Sequence, residues 1–213
     1  MPCDPSVFDP AWVDVSCFNW LDKKVTHPFS APCGEPSAFA VDVSDGWRHY
    51  IAKVESGALF IERASNSLDD WTTYNLSTSC DDVDIALDKT GSGQTLFYVL
   101  DVAGSIKLYT APAEGNTLTL STTIGSGSSP AAVSNAGLLF VYRVSGTTVV
   151  GQILDVAGNV IKTDFTAIAT VDASSRIDVK WSASGAGSRR LELYCVVSGS
   201  VVQYTSPDGI TFS

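Results

Sequence analysis

Four stretches of this chain share one local pattern: an alternating strand, a tight turn containing glycine, and a second strand. They run HYIAKVESGALFIERAS from His49, LFYVLDVAGSIKLYTAP from Leu96, LFVYRVSGTTVVGQIL from Leu139 and LYCVVSGSVVQYTSPDG from Leu193. The turn glycines Gly57, Gly104, Gly146 and Gly199 recur 42 to 53 residues apart. A tight hairpin needs positive φ at its turn, which glycine adopts without a steric penalty. A period of roughly 40–50 residues is that of one four-stranded propeller blade.

The flanking sequence fills out the unit. A short apolar strand precedes each hairpin: AFAVDV at Ala38, VDIALD at Val83, PAAVS at Pro130 and RIDVKW at Arg176. A fourth strand follows in three units: WTTYNL at Trp71, LTLSTTI at Leu118 and NVIKTDF at Asn159. Apolar residues alternate with polar ones at the two-residue period of strands, and no stretch of helical length shows the 3.6-residue period. Residues 1–37 differ. They hold six of the nine prolines and the aromatics Phe8, Trp12, Phe18 and Trp20. Proline fixes φ and removes a donor, so this reads as an extended arm with one strand-like run, AWVDVSCF from Ala11. The expected fold is all-β. It is a small β-propeller of four to five blades over residues 38–213, with residues 1–37 as an arm that supplies a closing strand and docks on a neighbouring subunit. A β-sandwich is the alternative.

The last unit ends in YTSPDGITF, with Ser206, Asp208, Gly209 and Phe212. This resembles the Asp-box of sialidase-type (BNR) propellers, Ser-x-Asp-x-Gly-x-x-aromatic, except that Asp208 and Gly209 are adjacent. ASNSLDDWTTY at Ala64 is similar to a degenerate copy, with Asp69, Asp70 and Trp71. The resemblance implies a blade turn in which the Asp accepts backbone N–H bonds and the aromatic packs between blades. In that family the boxes lie away from the catalytic face, so the resemblance implies no activity.

Net charge is −10, which would repel a phosphate backbone and excludes nucleic acid as an expected partner. No run approaches the ~18 apolar residues that span a bilayer, and the first residues lack a basic and apolar leader, so neither membrane insertion nor secretion is expected. Cys3, Cys17 and Cys33, with His27, are spaced too irregularly for a structural zinc site. The acids Asp81, Asp82 and Asp84 read as solvated loop carboxylates, and Gly125–Ser129 (GSGSS) as a flexible connection. Neither histidine sits in a nucleophile motif. A sialidase-like hydrolase would need an arginine cluster, and Arg48, Arg63, Arg143, Arg176, Arg189 and Arg190 are scattered. The expectation is therefore a protein that is not an enzyme and holds no cofactor or metal. It is a structural or adaptor component of a larger assembly, such as a bacteriophage virion or tail, made in the host cytoplasm and partnered by other subunits. A lectin-like module binding a host-surface glycan, with Trp47, Trp71 and Trp181 as platforms, is the alternative, and a sialidase-like glycoside hydrolase a remote one.

Overall fold

The computed structural model describes residues 37–42, 48–64, 71–88, 95–112, 117–183 and 189–213. Phe8, Trp12, Phe18, Trp20, Trp47, Asp69, Asp70 and the arm cysteines lie outside them. The described residues form fifteen strands and no helix. The first sheet is β1 (Ser37–Asp42), β2 (Arg48–Glu55), β3 (Ala58–Ala64) and β4 (Trp71–Ser79). The second is β5 (Asp82–Asp88), β6 (Thr95–Val102), β7 (Ser105–Ala111) and β8 (Thr119–Ser126). The third is β9 (Ser128–Asn135), β10 (Leu138–Ser145), β11 (Thr148–Asp155) and β12 (Val160–Ile168). The fourth is β13 (Asp178–Ala183), β14 (Arg189–Val197) and β15 (Ser200–Ser206).

Every sheet is an antiparallel meander in chain order. The first strands of successive sheets pack on one another, β1 on β5, β5 on β9 and β9 on β13. They are the inner strands, and the later strands step outward. Four separate sheets stacked side by side about inner strands make a propeller-like array, not the two facing sheets of a sandwich.

Turn chemistry sets the hairpins. Gly57, Gly104 and Gly199 have φ of 75°, 78° and 74°, and each follows a residue also at positive φ: Ser56, Ala103 and Ser198. Two consecutive positive φ values mark the type I′ turn, whose twist matches that of the strands. Gly146 (φ 62°) instead comes first in its turn. Ala136 and Gly137 repeat the paired pattern between β9 and β10.

Each core lies in a seam between two sheets. Tyr50, Leu59 and Ile61 meet Ile85, Tyr98 and Leu100 in the first seam. Phe97, Ile106 and Leu108 meet Leu139, Val141 and Leu154 in the second. Tyr142, Val149 and Ile153 meet Val179, Leu191 and Leu193 in the third. The joints between sheets are pinned to the hairpin turns by backbone bonds. Cys80 N–H donates to Gly57 O (3.1 Å), Gly127 N–H to Gly104 O (3.0 Å) and Val171 N–H to Thr147 O (2.8 Å). Asp81 N–H and Asp172 N–H reach forward to Asp101 O and Val196 O of the next sheet.

Candidate active site on the inner strands

Strand β5 reads Asp82-Val83-Asp84-Ile85-Ala86-Leu87-Asp88. The two-residue alternation of a strand sends Val83 and Ile85 into the first seam, and Asp82, Asp84 and Ala86 to the opposite face, toward the third sheet. Asp84 is therefore not a solvated loop acid. Its Oδ2 accepts the N–H of Ala132 on β9 (2.6 Å), and its Oδ1 accepts that of Ile85 (2.8 Å).

The start of β13 arrives at the same place. Ile177 N–H donates to Ser129 Oγ (3.0 Å), fixing the lead into β13 against β9. That sets Arg176 Nη1 3.7 Å from Asp82 Oδ1. Asp178 accepts the N–H of Val179 (2.8 Å) and remains exposed. Three inner strands thus bring Asp82, Asp84, Asp178 and Arg176 together at their N-terminal ends.

Electrostatics separates these acids. Burial pushes the Asp84 carboxyl up to about 8; its two N–H bonds oppose the shift, and the nearby Asp178 and Asp82 carboxylates add to it. Burial also lifts Asp82, to about 6, against the pull of Arg176. Loss of solvation disfavours the charged form, and a neighbouring like charge disfavours it further. Near neutral pH the shift favours the protonated form of Asp84, beside the exposed Asp178 side chain. Among the described residues, no group of three His, Cys, Asp or Glu side chains is arranged to hold a metal ion.

The other sequence candidates serve the scaffold. Ser206 Oγ donates to Asp208 Oδ1 (2.8 Å) and accepts the N–H of Gly209 (2.9 Å). Asp208 Oδ1 also accepts the N–H groups of Ile210 (2.9 Å) and Thr211 (3.0 Å). Gly209 O accepts the Tyr142 hydroxyl (2.6 Å), and the Phe212 ring meets that of Tyr142 edge-on at 5.7 Å. The turn therefore clamps the fourth sheet to the third. Trp181 packs edge-on against Phe140 at 5.6 Å within the third seam, so it offers no open sugar platform. Gly125–Ser129 is not a flexible connection. It carries the end of β8 into β9, with Ser129 buried.

Sequence reasoning placed a strand at Val83 but read its acids as loop residues. The available signal was the Asp-x-Asp spacing, which puts both carboxylates on one face of a strand.

No protein family and no curated protein matches this sequence. Among solved structures the chain is similar to a GH43 glycoside hydrolase engineered to display both endo-xylanase and exo-arabinofuranosidase activity. The TM-score is 0.55 at 10% identity, over 84% of this chain and 40% of that one. That enzyme is a five-bladed β-propeller. A prolyl endopeptidase is similar over 76% of this chain and 24% of that one, at 13% identity and a TM-score of 0.39. The chain spans less than half the length of either structure.

At 10% identity the likeness to the glycoside hydrolase bears on the fold alone, and with the four sheets it establishes a β-propeller-like array. It also corrects the functional expectation. The expected non-enzymatic virion or tail component gives way, because the solved structure that shares the fold is a GH43 glycoside hydrolase. The expectation of no enzymatic activity is corrected with it.

Proposed function

We propose that the chain is a carbohydrate-active β-propeller module whose inner-strand acids, Asp84 and Asp178, serve glycoside hydrolysis. The observation that supports this reading is Asp84, its carboxyl pushed up by loss of solvation, near the exposed Asp178 side chain of another sheet. Glycosidic cleavage uses two carboxyl groups, one raised to act as an acid and one kept ionised. Asp84 would donate its proton to the departing glycosidic oxygen. Asp178 would act on the other face of the sugar, and water would complete the hydrolysis. Asp82, balanced by Arg176, keeps negative charge near Asp84 and so helps hold its proton. The likeness to a GH43 glycoside hydrolase supplies the substrate class to try first: aryl xylosides and arabinofuranosides, with xylan and arabinan.

The test is release of aglycone or reducing sugar by the purified chain across that panel. Asp84→Asn and Asp178→Asn should each lower turnover by at least about a hundredfold. Both should melt within a few degrees of the parent, since the Asn carbonyl can still accept the Ala132 N–H. Activity should fall as pH rises through about 8, where Asp84 loses its proton. Turnover unchanged in both variants, or no hydrolysis of any substrate, sinks the proposal.

A further inference from the structure

Between the third and fourth sheets the chain is pinned residue by residue. Ser175 N–H donates to Asp172 O (2.8 Å). Ser175 Oγ donates to Arg176 O (3.1 Å) and accepts the N–H of Val196 on β14 (2.7 Å). Ile177 N–H donates to Ser129 Oγ (3.0 Å). Ser175 and Ile177 are both buried. Arg176, between them, sends its side chain outward, where 50% of it is exposed. The two-residue alternation continues into β13, with Asp178 exposed and Val179 buried. Arg176 and Asp178 therefore stand on one face, one alternation apart.

The guanidinium is held in place but little used. Among the described residues its one polar contact is with Asp82, Nη1 to Oδ1 at 3.7 Å, an ion pair too long for a hydrogen bond. Arg176 thus presents a fork of N–H donors to the open side from a backbone already fixed on both flanks. A donor fixed in advance loses less freedom on binding than one on a loose loop. The planar fork matches a carboxylate through two parallel bonds, a geometry that a single hydroxyl does not offer. The neighbouring acids permit a further anion. Burial favours the protonated form of Asp84 near neutral pH and lifts Asp82 to about 6, so in mildly acidic solution both carry less than their formal charge.

We propose that Arg176 takes a carboxylate of the bound glycan, so that the site prefers chains carrying uronic acid units over neutral ones. The inference rests on the reading of Asp84 and Asp178 as the residues that meet the sugar. Side chains one alternation apart on a strand stand roughly 7 Å from each other, a span that one sugar ring with its carboxyl group can bridge. A unit lying against Asp178 therefore brings its own carboxyl within reach of Arg176. Repulsion from Asp178 turns that carboxyl toward the guanidinium, which fixes the direction in which the sugar lies.

The experiment measures binding at pH 6 to the full chain carrying Asp84→Asn, which leaves the glycan intact. Two xylo-oligosaccharides are compared, one bearing a glucuronic acid unit and one in which that carboxyl has been reduced to the alcohol. The acid should bind at least about tenfold more tightly. Arg176→Gln should bring the ratio to about one. Arg176→Lys, which keeps the charge and loses the fork, should leave it in between. Taking the ratio within each chain cancels any general effect of the substitution on the site. Equal binding of the two sugars before Arg176 is changed overturns the proposal, and so does a preference that survives Arg176→Gln. The two readings fail separately. Equal binding in a site whose parent chain does hydrolyse glycans removes the role of Arg176 alone. An Arg176-dependent preference in a chain that cleaves nothing removes hydrolysis and leaves this inference standing, and binding of neither sugar overturns both.

Discussion

Gly127 shows how closely the second and third sheets approach. A Cβ there would stand 2.6 Å from Val144 O and 3.2 Å from Arg143 Cγ, and one at Gly125 would stand 2.7 Å from Arg143 Nη2. Arg143 is buried in this joint. Its Nε donates to Ser126 O (3.1 Å), and its Nη2 pairs with Asp164 across its own sheet. Gly127→Ala must displace backbone, not a side-chain tip, so it should cost about 1–3 kcal/mol in a denaturant melt. Gly104→Ala makes a useful contrast. It meets nothing within 4 Å but holds φ at 78°, so its cost should be only about 1–2 kcal/mol from the left-handed backbone. A melt in which Gly127→Ala is as stable as the parent would show that the joint can open. None of this was legible locally. GSGSS reads as a loose loop and Arg143 as one arginine among several, because the meeting of the two depends on how whole sheets stack.

At the level of elements, hairpins were the readable part. Positive-φ turns and two-residue alternation are local, so the strands flanking Gly57, Gly104, Gly146 and Gly199 follow from a few adjacent residues. That Asp84 lies within reach of the charge of Asp178 could not be read in this way, since the two sit on inner strands two sheets apart. The Ser206–Phe212 turn falls between these cases. Its motif was visible, whereas its seat on Tyr142 was not. Bonds from Thr211, Ile210 and Ser206 hold the Asp208 carboxyl below the usual carboxylate range. A depressed pKa contributes stability that is present above the unfolded value near 4 and is lost as pH falls through the folded one. Asp208→Ala should therefore lower Tm by a few degrees at pH 7. The gap from the parent should narrow as pH falls below the ordinary carboxylate range and the parent carboxyl itself takes up a proton. A gap that persists unchanged at low pH would mean that the carboxylate charge is not what holds the turn.

The whole molecule is stabilised by its seams. Every core cluster joins two neighbouring sheets, so no sheet owns a core of its own, and stability is a chain of nearest-neighbour terms. Leu59→Ala in the first seam and Leu191→Ala in the third remove wholly buried side chains at opposite ends of the array. Each should cost about 2–5 kcal/mol. In calorimetry each should lower one shared transition, because the intervening seams couple the ends; two separate transitions would show that the array splits. The joints add a different consequence. Carbonyls of the turns at Gly57, Gly104 and Thr147 are already taken by the segments that lead from one sheet to the next, and the N-terminal ends of the inner strands, with their acids, lie at this same end. An insertion here would have to break a clamp, while at the opposite end the sheets are tied by side chains within the strands, Ser134 Oγ to Leu87 O and Arg189 Nη1 to Asn135 Oδ1. Over evolutionary time the far end is free to vary by lengthening its loops, and the end that holds Asp82, Asp84 and Asp178 can change only one side chain at a time.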